Sequence, residues 1–524
     1  MRSNRLIRNA WRLVSTPARL CLCGFLVVFA LRLDAQAQPL VCDVTGDADV
    51  ATAEIPRRTA VTLLADGVTT FPPLREPDMV WVENTLSSMT LDEKIGQLIV
   101  TSYHSSGESL IDQYKVGGFV FLGNNQLASD IVSTVNRLQN YSKYPLWFSI
   151  DAEAGLGARL ADATKIPLIM GVAAAQSPEL TEQCGRLTAE ECRALGVQVA
   201  YAPVVDVNTE PINPIISTRS YSDDPSTVTT HARAFIAGAR SEGLLTTFKH
   251  YPGHGATTGD SHSSLPTVSL PMETLQAVHI KPYRDLVGTG DVDLVMTAHV
   301  WYSQVDTQQG VPWPATLSPI FLKDVLRTSI GFTGPILSDS YGMQGLALAV
   351  PDESERAVVG IETGLDVILN PPDVGLAFTG IKNAVLSQRI TQERINESVR
   401  RILIVKSRSG LPENKNVDPN LYPSVLQTPA HVDVVRQVCE RGFTRGKNTI
   451  SEPPISSSDK VLVLSLNASS TIFYRLSSSY FTTPFLQTVD EASVTTTVST
   501  RVSSATRQSI INLANTMDKV VILG

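Results

Sequence analysis

Leu245-Thr246-Thr247-Phe248-Lys249-His250-Tyr251-Pro252-Gly253-His254-Gly255, followed by Asp260-Ser261-His262, is the stretch on which the rest of the chain turns. The run Leu245 to Phe248 has strand character and breaks off at Lys249-His250, so a charged and a titratable side chain stand at the strand's C-terminal end. The fourteen residues Lys249 to His262 hold three of the chain's eight histidines, beside an aspartate and glycines that let backbone approach a ligand closely. Three chemistries compete for such a cluster. It can be a polar loop with solvated histidines, or a metal site drawn from His250, His254, Asp260 and His262. It can also be an acid/base couple, because an Asp two residues before a His can hold one ring nitrogen and leave the other free to exchange protons.

The same pattern recurs on both sides of this stretch. Gly117 to Leu122 reads as a buried strand, Asp130 to Asn140 as a helix, and Leu146 to Ile150 as a strand ending at Asp151. Val197 to Ala202 ends near Asp206, Leu294 to Thr297 near His299, Pro335 to Leu337 at Ser338-Asp339, and Val367 to Leu369 at Asn370. Continuous apolar strands separated by helices imply a parallel sheet, and polar residues gathered at strand C-termini match the active face of a TIM-type (β/α)8 barrel. An open doubly wound sheet is the rival, but this many repeated units favours closure. The expected fold is therefore α/β: a barrel over residues 78–406, then a short, reduced or truncated second α/β segment.

The barrel's first helix is expected from the capping box Thr90-Leu91-Asp92-Glu93, with Ile95, Leu98 and Ile99 on its apolar face. Ile381 to Lys406 reads as a closing helix pair, residues 407–459 as a linker, and residues 460–524 as the partial C-terminal domain, with strands at Val461 to Leu464 and Val520 to Leu523. Upstream, residues 38–77 are Thr-, Ala- and Pro-rich and read as an extended lead-in. Residues 1–37 carry Arg2, Arg5, Arg8, Arg12 and Arg19, the apolar run Leu20 to Leu31, and Ala35-Gln36-Ala37. That is the pattern of a secretory signal peptide cleaved after Ala37, and it predicts an exported protein. The apolar run is too short for the roughly 20 residues of a membrane span. Bulky Val41 argues against lipid attachment at Cys42.

The composition is that of a globular protein, with 43% hydrophobic and 18% charged residues, and a net charge of -8 argues against a nucleic-acid partner. Once Cys21 and Cys23 leave with the signal, Cys42, Cys184, Cys192 and Cys439 remain, and no C-x-x-C spacing points to zinc. Cys184 and Cys192 lie eight residues apart in a helical pattern, a rise of about 12 Å that no disulfide spans.

The motifs together resemble glycoside hydrolase family 3, in its β-N-acetylglucosaminidase branch. The resemblance runs from about Met89 to Lys406. It includes Met89 to Leu98, Asp151-Ala152-Glu153-Ala154-Gly155 with Arg159, Ala202-Pro203-Val204-Val205-Asp206, Asn213-Pro214, Arg219-Ser220, Lys249 to His262, Met296-Thr297-Ala298-His299 and Ser338-Asp339-Ser340. A departure appears at Ala152-Glu153-Ala154, where the family usually has Gln and Gly around the acid.

The resemblance implies a retaining glycosidase with Asp339 as nucleophile, His262 as general acid/base and Asp260 as the partner that orients it. A carboxylate beside an imidazole fixes its tautomer and favours its protonated form, so a proton is available for a departing oxygen. It further implies that Asp151, Arg159, Arg219, Lys249 and His250 bind sugar through charge-assisted hydrogen bonds. Arg219 has a competing structural role as the salt-bridge partner of Asp223 or Asp224. His254 is expected to be structural, and Asp206 to brace Arg219 or a loop. Neither a metal nor a cofactor is expected, and the partner is a carbohydrate: a terminal β-linked N-acetylglucosaminide of cell-wall muropeptide or chitin type. The alternatives are a phosphorylase on the same scaffold, a β-glucosidase or β-xylosidase, and a non-catalytic carbohydrate-binding barrel.

Overall fold

The computed structural model describes residues 62–63, 69–103, 106–306, 311–442, 460–465, 483–488 and 519–523. The expected signal peptide and most of the lead-in lie outside the described residues. The chain divides into two compact units, one spanning Ala37–Gly442 and the other containing Phe443–Gly524.

Within the first unit, a small antiparallel pair, β1 (Thr62–Leu63) and β2 (Thr69–Thr70), precedes the barrel. The barrel strands are β3 (Ile99–Ser102), β4 (Gly118–Phe121), β5 (Trp147–Ile150), β6 (Val199–Ala200), β7 (Leu245–Tyr251), β9 (Leu294–Thr297), β11 (Ile336–Ser338) and β12 (Ile368–Leu369). A two-stranded ribbon of β8 (Thr267–Val268) and β10 (Trp301–Tyr302) stands apart from them. The eight strands form one sheet in the order β11-β9-β7-β6-β5-β4-β3-β12, every pairing parallel. Between β12 and β11 the sheet closes through Ser338 N–H to Val367 O at 3.1 Å and Val367 N–H to Ile336 O at 3.1 Å. Closure rules out the open doubly wound alternative. It also explains the continuous apolar runs: β4, β5 and β9 are buried at every residue, as strands packed on both faces must be.

The helices between strands start where their side chains dictate. Ser177 caps Pro178–Ala194 and Asp224 caps Pro225–Ser241, each with proline in the first turn, where its missing N–H costs nothing. The expected Thr90 capping box is present, but its helix is shorter than predicted: it ends at Gln97, and Ile99 begins β3. An apolar stretch continuous from helix into buried strand has no periodicity break to mark the boundary.

Two further expectations are corrected. The stretch 407–459 contains a helix, Pro429–Gly442, that packs on Ile169–Ala174 and Pro178–Ala194, so it is not linker throughout. Its His431 is buried, with Nε2 2.7 Å from Glu190 Oε2 and Nδ1 3.3 Å from Glu191 Oε1. The lead-in is anchored at its end: Phe71 is buried, its N–H donating to Glu242 Oε2 at 2.8 Å. Cys184 and Cys192 are free and buried. In the second unit, β13 (Lys460–Ser465), β14 (Thr483–Thr488) and β15 (Lys519–Leu523) form a parallel sheet in the order β14-β13-β15.

Candidate active site

Parallel closure points every strand's C-terminal end toward one mouth, so residues far apart in sequence meet there. Asp151 follows β5, Lys249 and His250 belong to the end of β7, and Asp339 follows β11. Asp151, Glu153, Lys249, Arg219, His262 and Asp339 line one pocket of about 340 Å³, and Arg159 and His250 line it too. That volume lies in the range of small-ligand sites, roughly 300 to 1,000 Å³. All eight residues expected from the sequence are thus at or beside one cavity, Asp260 through its contact with His262.

An alternating charge network forms one wall. Lys249 Nζ lies 2.8 Å from Asp151 Oδ1 and 2.5 Å from Glu153 Oε1, and Arg159 reaches Asp151 Oδ2 at 2.9 Å. Arg219 grips Glu153 with both arms, Nε to Oε2 and Nη2 to Oε1, each at 2.8 Å. Burial alone would raise the Glu153 carboxyl, but Lys249 and Arg219 hold it far below the usual carboxylate range. Burial likewise works against the Lys249 ammonium, and Asp151 and Glu153 outweigh it, so its pKa is raised.

Arg219 therefore does not pair with Asp223 or Asp224. Asp224 is committed as a helix cap, accepting from Thr227 N–H at 2.7 Å, and Asp223 accepts from the Ser222 hydroxyl. Glu153 was not among the residues singled out from the sequence. The signal available was its position two residues beyond a strand-end acid, opposite a strand-end lysine. In this loop the positive φ, 72°, falls on Gly155, where no side chain opposes it, and not on Ala154.

Asp206 braces the His250 to His254 loop. Its Oδ2 lies 2.7 Å from His250 Nδ1 and accepts His250 N–H at 3.1 Å, while Oδ1 accepts His254 N–H at 2.5 Å. The brace runs to the loop rather than to Arg219. The carboxylate fixes the His250 tautomer with the proton on Nδ1, turning Nε2 toward Asp339 Oδ2 at 4.0 Å.

Asp339 Oδ1 accepts Ser340 N–H at 2.7 Å. Burial pushes its carboxyl up, but His250, His299 and the Ser340 N–H together bring it below the ordinary value. His299 supports the turn from behind, with Nε2 donating to Ser340 O at 3.1 Å and Nδ1 2.7 Å from the Thr316 hydroxyl.

At the rim, His262 Nδ1 lies 2.8 Å from Asp260 Oδ1, an oxygen that also accepts His262 N–H at 2.8 Å. Partial burial raises the Asp260 carboxyl, and these two hydrogen bonds outweigh it and keep it below the ordinary range. The pairing leaves His262 Nε2 free. Among the described residues, no group of three or more His, Cys, Asp or Glu is arranged to hold a metal ion. Both ring nitrogens of His254 are engaged by hydroxyls, Nδ1 with Thr257 and Nε2 with Ser261, so His254 serves the loop rather than a ligand.

Residues 90–405 match the profile of the glycosyl hydrolase family 3 N-terminal domain. The chain belongs to glycosyl hydrolase family 3. A β-N-acetylglucosaminidase/β-glucosidase of Cellulomonas fimi is 31% identical over 394 residues, a match spanning 73% of this chain and 69% of that protein. The family 3 β-N-acetylglucosaminidase from Paenibacillus sp. str. FPU-7 superimposes with a TM-score of 0.73 at 27% identity, covering 83% of this chain and 84% of that one. A β-glucoside phosphorylase does so with a TM-score of 0.76 at 26% identity, covering 85% of this chain and 81% of the other. The chain is a glycoside hydrolase of family 3, and its relatives support the β-N-acetylglucosaminidase branch that its motifs together resemble.

Proposed function

We propose that this family 3 chain removes terminal β-linked N-acetylglucosamine from oligosaccharides with retention, using Asp339 as nucleophile and His262 as acid and base in turn. The observation that carries this reading is the Asp260–His262 pair at 2.8 Å on the wall of the pocket that holds Asp339. Asp339 Oδ1 is engaged by Ser340 N–H, which leaves Oδ2 to attack the anomeric carbon. As the C–O bond to the leaving group breaks, the departing oxygen takes the Nε2 proton of His262. Water then gives a proton to the same nitrogen and displaces Asp339. Asp260 holds the ring by Nδ1 and keeps Nε2 turned outward. Asp151, Arg159, Arg219, Lys249 and His250 bind the sugar hydroxyls, with Glu153 holding two of those cations in place.

The test is activity on a chromogenic N-acetyl-β-glucosaminide beside the matching β-glucoside. A preference for the glucoside would reject the branch assignment. Phosphorolysis is the second reading, supported by the phosphorylase similarity and by a histidine acid/base that does not repel an anion as a carboxylate would. Glycosyl phosphate formed in phosphate buffer distinguishes it from free sugar. The natural substrate proposed is a cell-wall muropeptide or a chitin oligomer, reached after export and cleavage at Ala35-Gln36-Ala37. N-terminal sequencing of secreted protein should start near Gln38, and a start at Met1 would reject export by this route.

A further inference from the structure

The loop carrying Asp260 and His262 is fastened at points the chemistry above does not use. Ser261 is 2% exposed, although it stands between side chains that are 39% and 62% exposed. Its hydroxyl lies 3.0 Å from His254 Nε2. Across that ring, Nδ1 is 2.8 Å from the Thr257 hydroxyl, which donates its own proton to His254 O at 3.0 Å. Thr257 Oγ1 therefore accepts from Nδ1–H, and His254 Nε2 is left as an acceptor for the Ser261 O–H. Burial, with His250 nearby, pushes the His254 pKa down to about 4, so this arrangement of protons persists at neutral pH.

The second fastening is made by backbone. Gly345 N–H donates to Ser261 O at 3.2 Å and Gln344 N–H to His262 O at 3.3 Å, both from the helix Gln344–Ala349 that follows Asp339. A Cβ on Gly345 would stand 2.4 Å from Ser264 O and 3.0 Å from Ser261 O, so any larger residue pushes loop and helix apart.

We propose that His254, Ser261 and Gly345 form a seat that holds the Asp260–His262 loop against the turn behind Asp339, and that they are positioning residues for proton transfer to the leaving group. The proposal rests on the reading of His262 as the acid. Hydroxyl, ring and glycine fix where His262 Nε2 stands relative to the scissile bond. Losing any of them should weaken the step that needs the proton and spare bond-breaking that does not.

The experiment measures kcat/KM, which reports the steps through glycosidic cleavage, on N-acetyl-β-glucosaminides of graded leaving-group pKa. Ser261→Ala and Gly345→Ala should lose about 10- to 100-fold on poor leaving groups and less than about threefold on activated phenols. Ser261→Thr, which keeps the hydroxyl, should return toward wild type. Should Gly345→Ala fail to fold, Ser261→Ala, which removes one oxygen, carries the test. A loss uniform across the series, or none, in Ser261→Ala while His262→Ala shows a steepened slope overturns the seat and leaves the dyad standing. An unchanged slope in His262→Ala overturns the dyad, and the seat with it.

Discussion

Replacing Glu153 by Gln keeps the side chain's shape and removes the charge that holds Lys249 and Arg219 together. In the wild type that carboxylate receives two arms of Arg219 at 2.8 Å and the Lys249 ammonium at 2.5 Å. Removing one partner of a buried ion pair costs roughly 3 to 5 kcal/mol, chiefly because the other charge is left unpaired. The Glu153 side chain keeps 17% of its surface exposed at the pocket, so water can replace part of what is lost and the lower end, about 3 kcal/mol, applies. If that loss falls on transition-state binding, kcat/KM drops about 100-fold, at 1.36 kcal/mol per decade. The Lys249 pKa is raised first by Asp151 and next by Glu153 against its own burial, so Glu153→Gln should also lower it. On an activated aryl glycoside, whose phenol departs without the His262 proton, the alkaline limb set by Lys249 would then move to lower pH. Both quantities come from one assay, kcat/KM on a chromogenic N-acetyl-β-glucosaminide from neutral to alkaline pH, with a thermal melt to check folding. A folded Glu153→Gln protein within about threefold of wild type, with its alkaline limb in place, would refute the reasoning.

Asp339→Ala should abolish turnover without unfolding the barrel, and azide should restore activity with inverted product configuration, checked by NMR of the anomeric proton. His262→Ala should lose roughly 10²- to 10⁴-fold on substrates with basic leaving groups and much less on activated phenols, with Asp260→Asn milder in the same direction. For His431, burial pushes the pKa down, but the hydrogen bonds to Glu190 and Glu191 hold it up at about 9, above the ordinary 6.5 of an imidazole. A folded pKa above the unfolded value means that the stabilisation is fully present below about pH 6.5 and is lost as pH rises through about 9. Unfolding free energy should therefore fall by up to about 3 kcal/mol between pH 6 and pH 10, and His431→Gln should flatten that dependence in denaturant titrations.

Strand identity and strand-end chemistry were legible in the sequence because a parallel barrel buries its strands on both faces. Each strand then appears as a short apolar run that stops where solvent and ligand begin. Leu245 to Phe248 and Leu294 to Thr297 announced themselves in that way, and so did the polar residues that follow them. Local spacing was equally informative: an Asp two residues before a His can hold one ring nitrogen, and Asp260 and His262 meet in that way. Ile99 was misjudged because a helix that runs into a buried strand leaves no change in hydropathy, and only the pairing of β3 with β4 and β12 fixes where one ends.

What the sequence could not supply was the company each charge keeps. Nothing in the chain order says that Arg219 reaches back 66 residues to Glu153 rather than forward to Asp224. That choice is made when the pairing of β5 with β6 brings Glu153 and the segment after β6 to one mouth and a helix N-terminus claims the Asp224 carboxylate first. The same holds for Ser261. In sequence it is a spacer between two catalytic candidates, and it becomes a fastening point because the fold sets His254 and Gly345 against it. Hydrophobic pattern and short-range spacing are encoded locally and survive in the sequence, whereas ion pairing depends on distances that exist only once the sheet has closed.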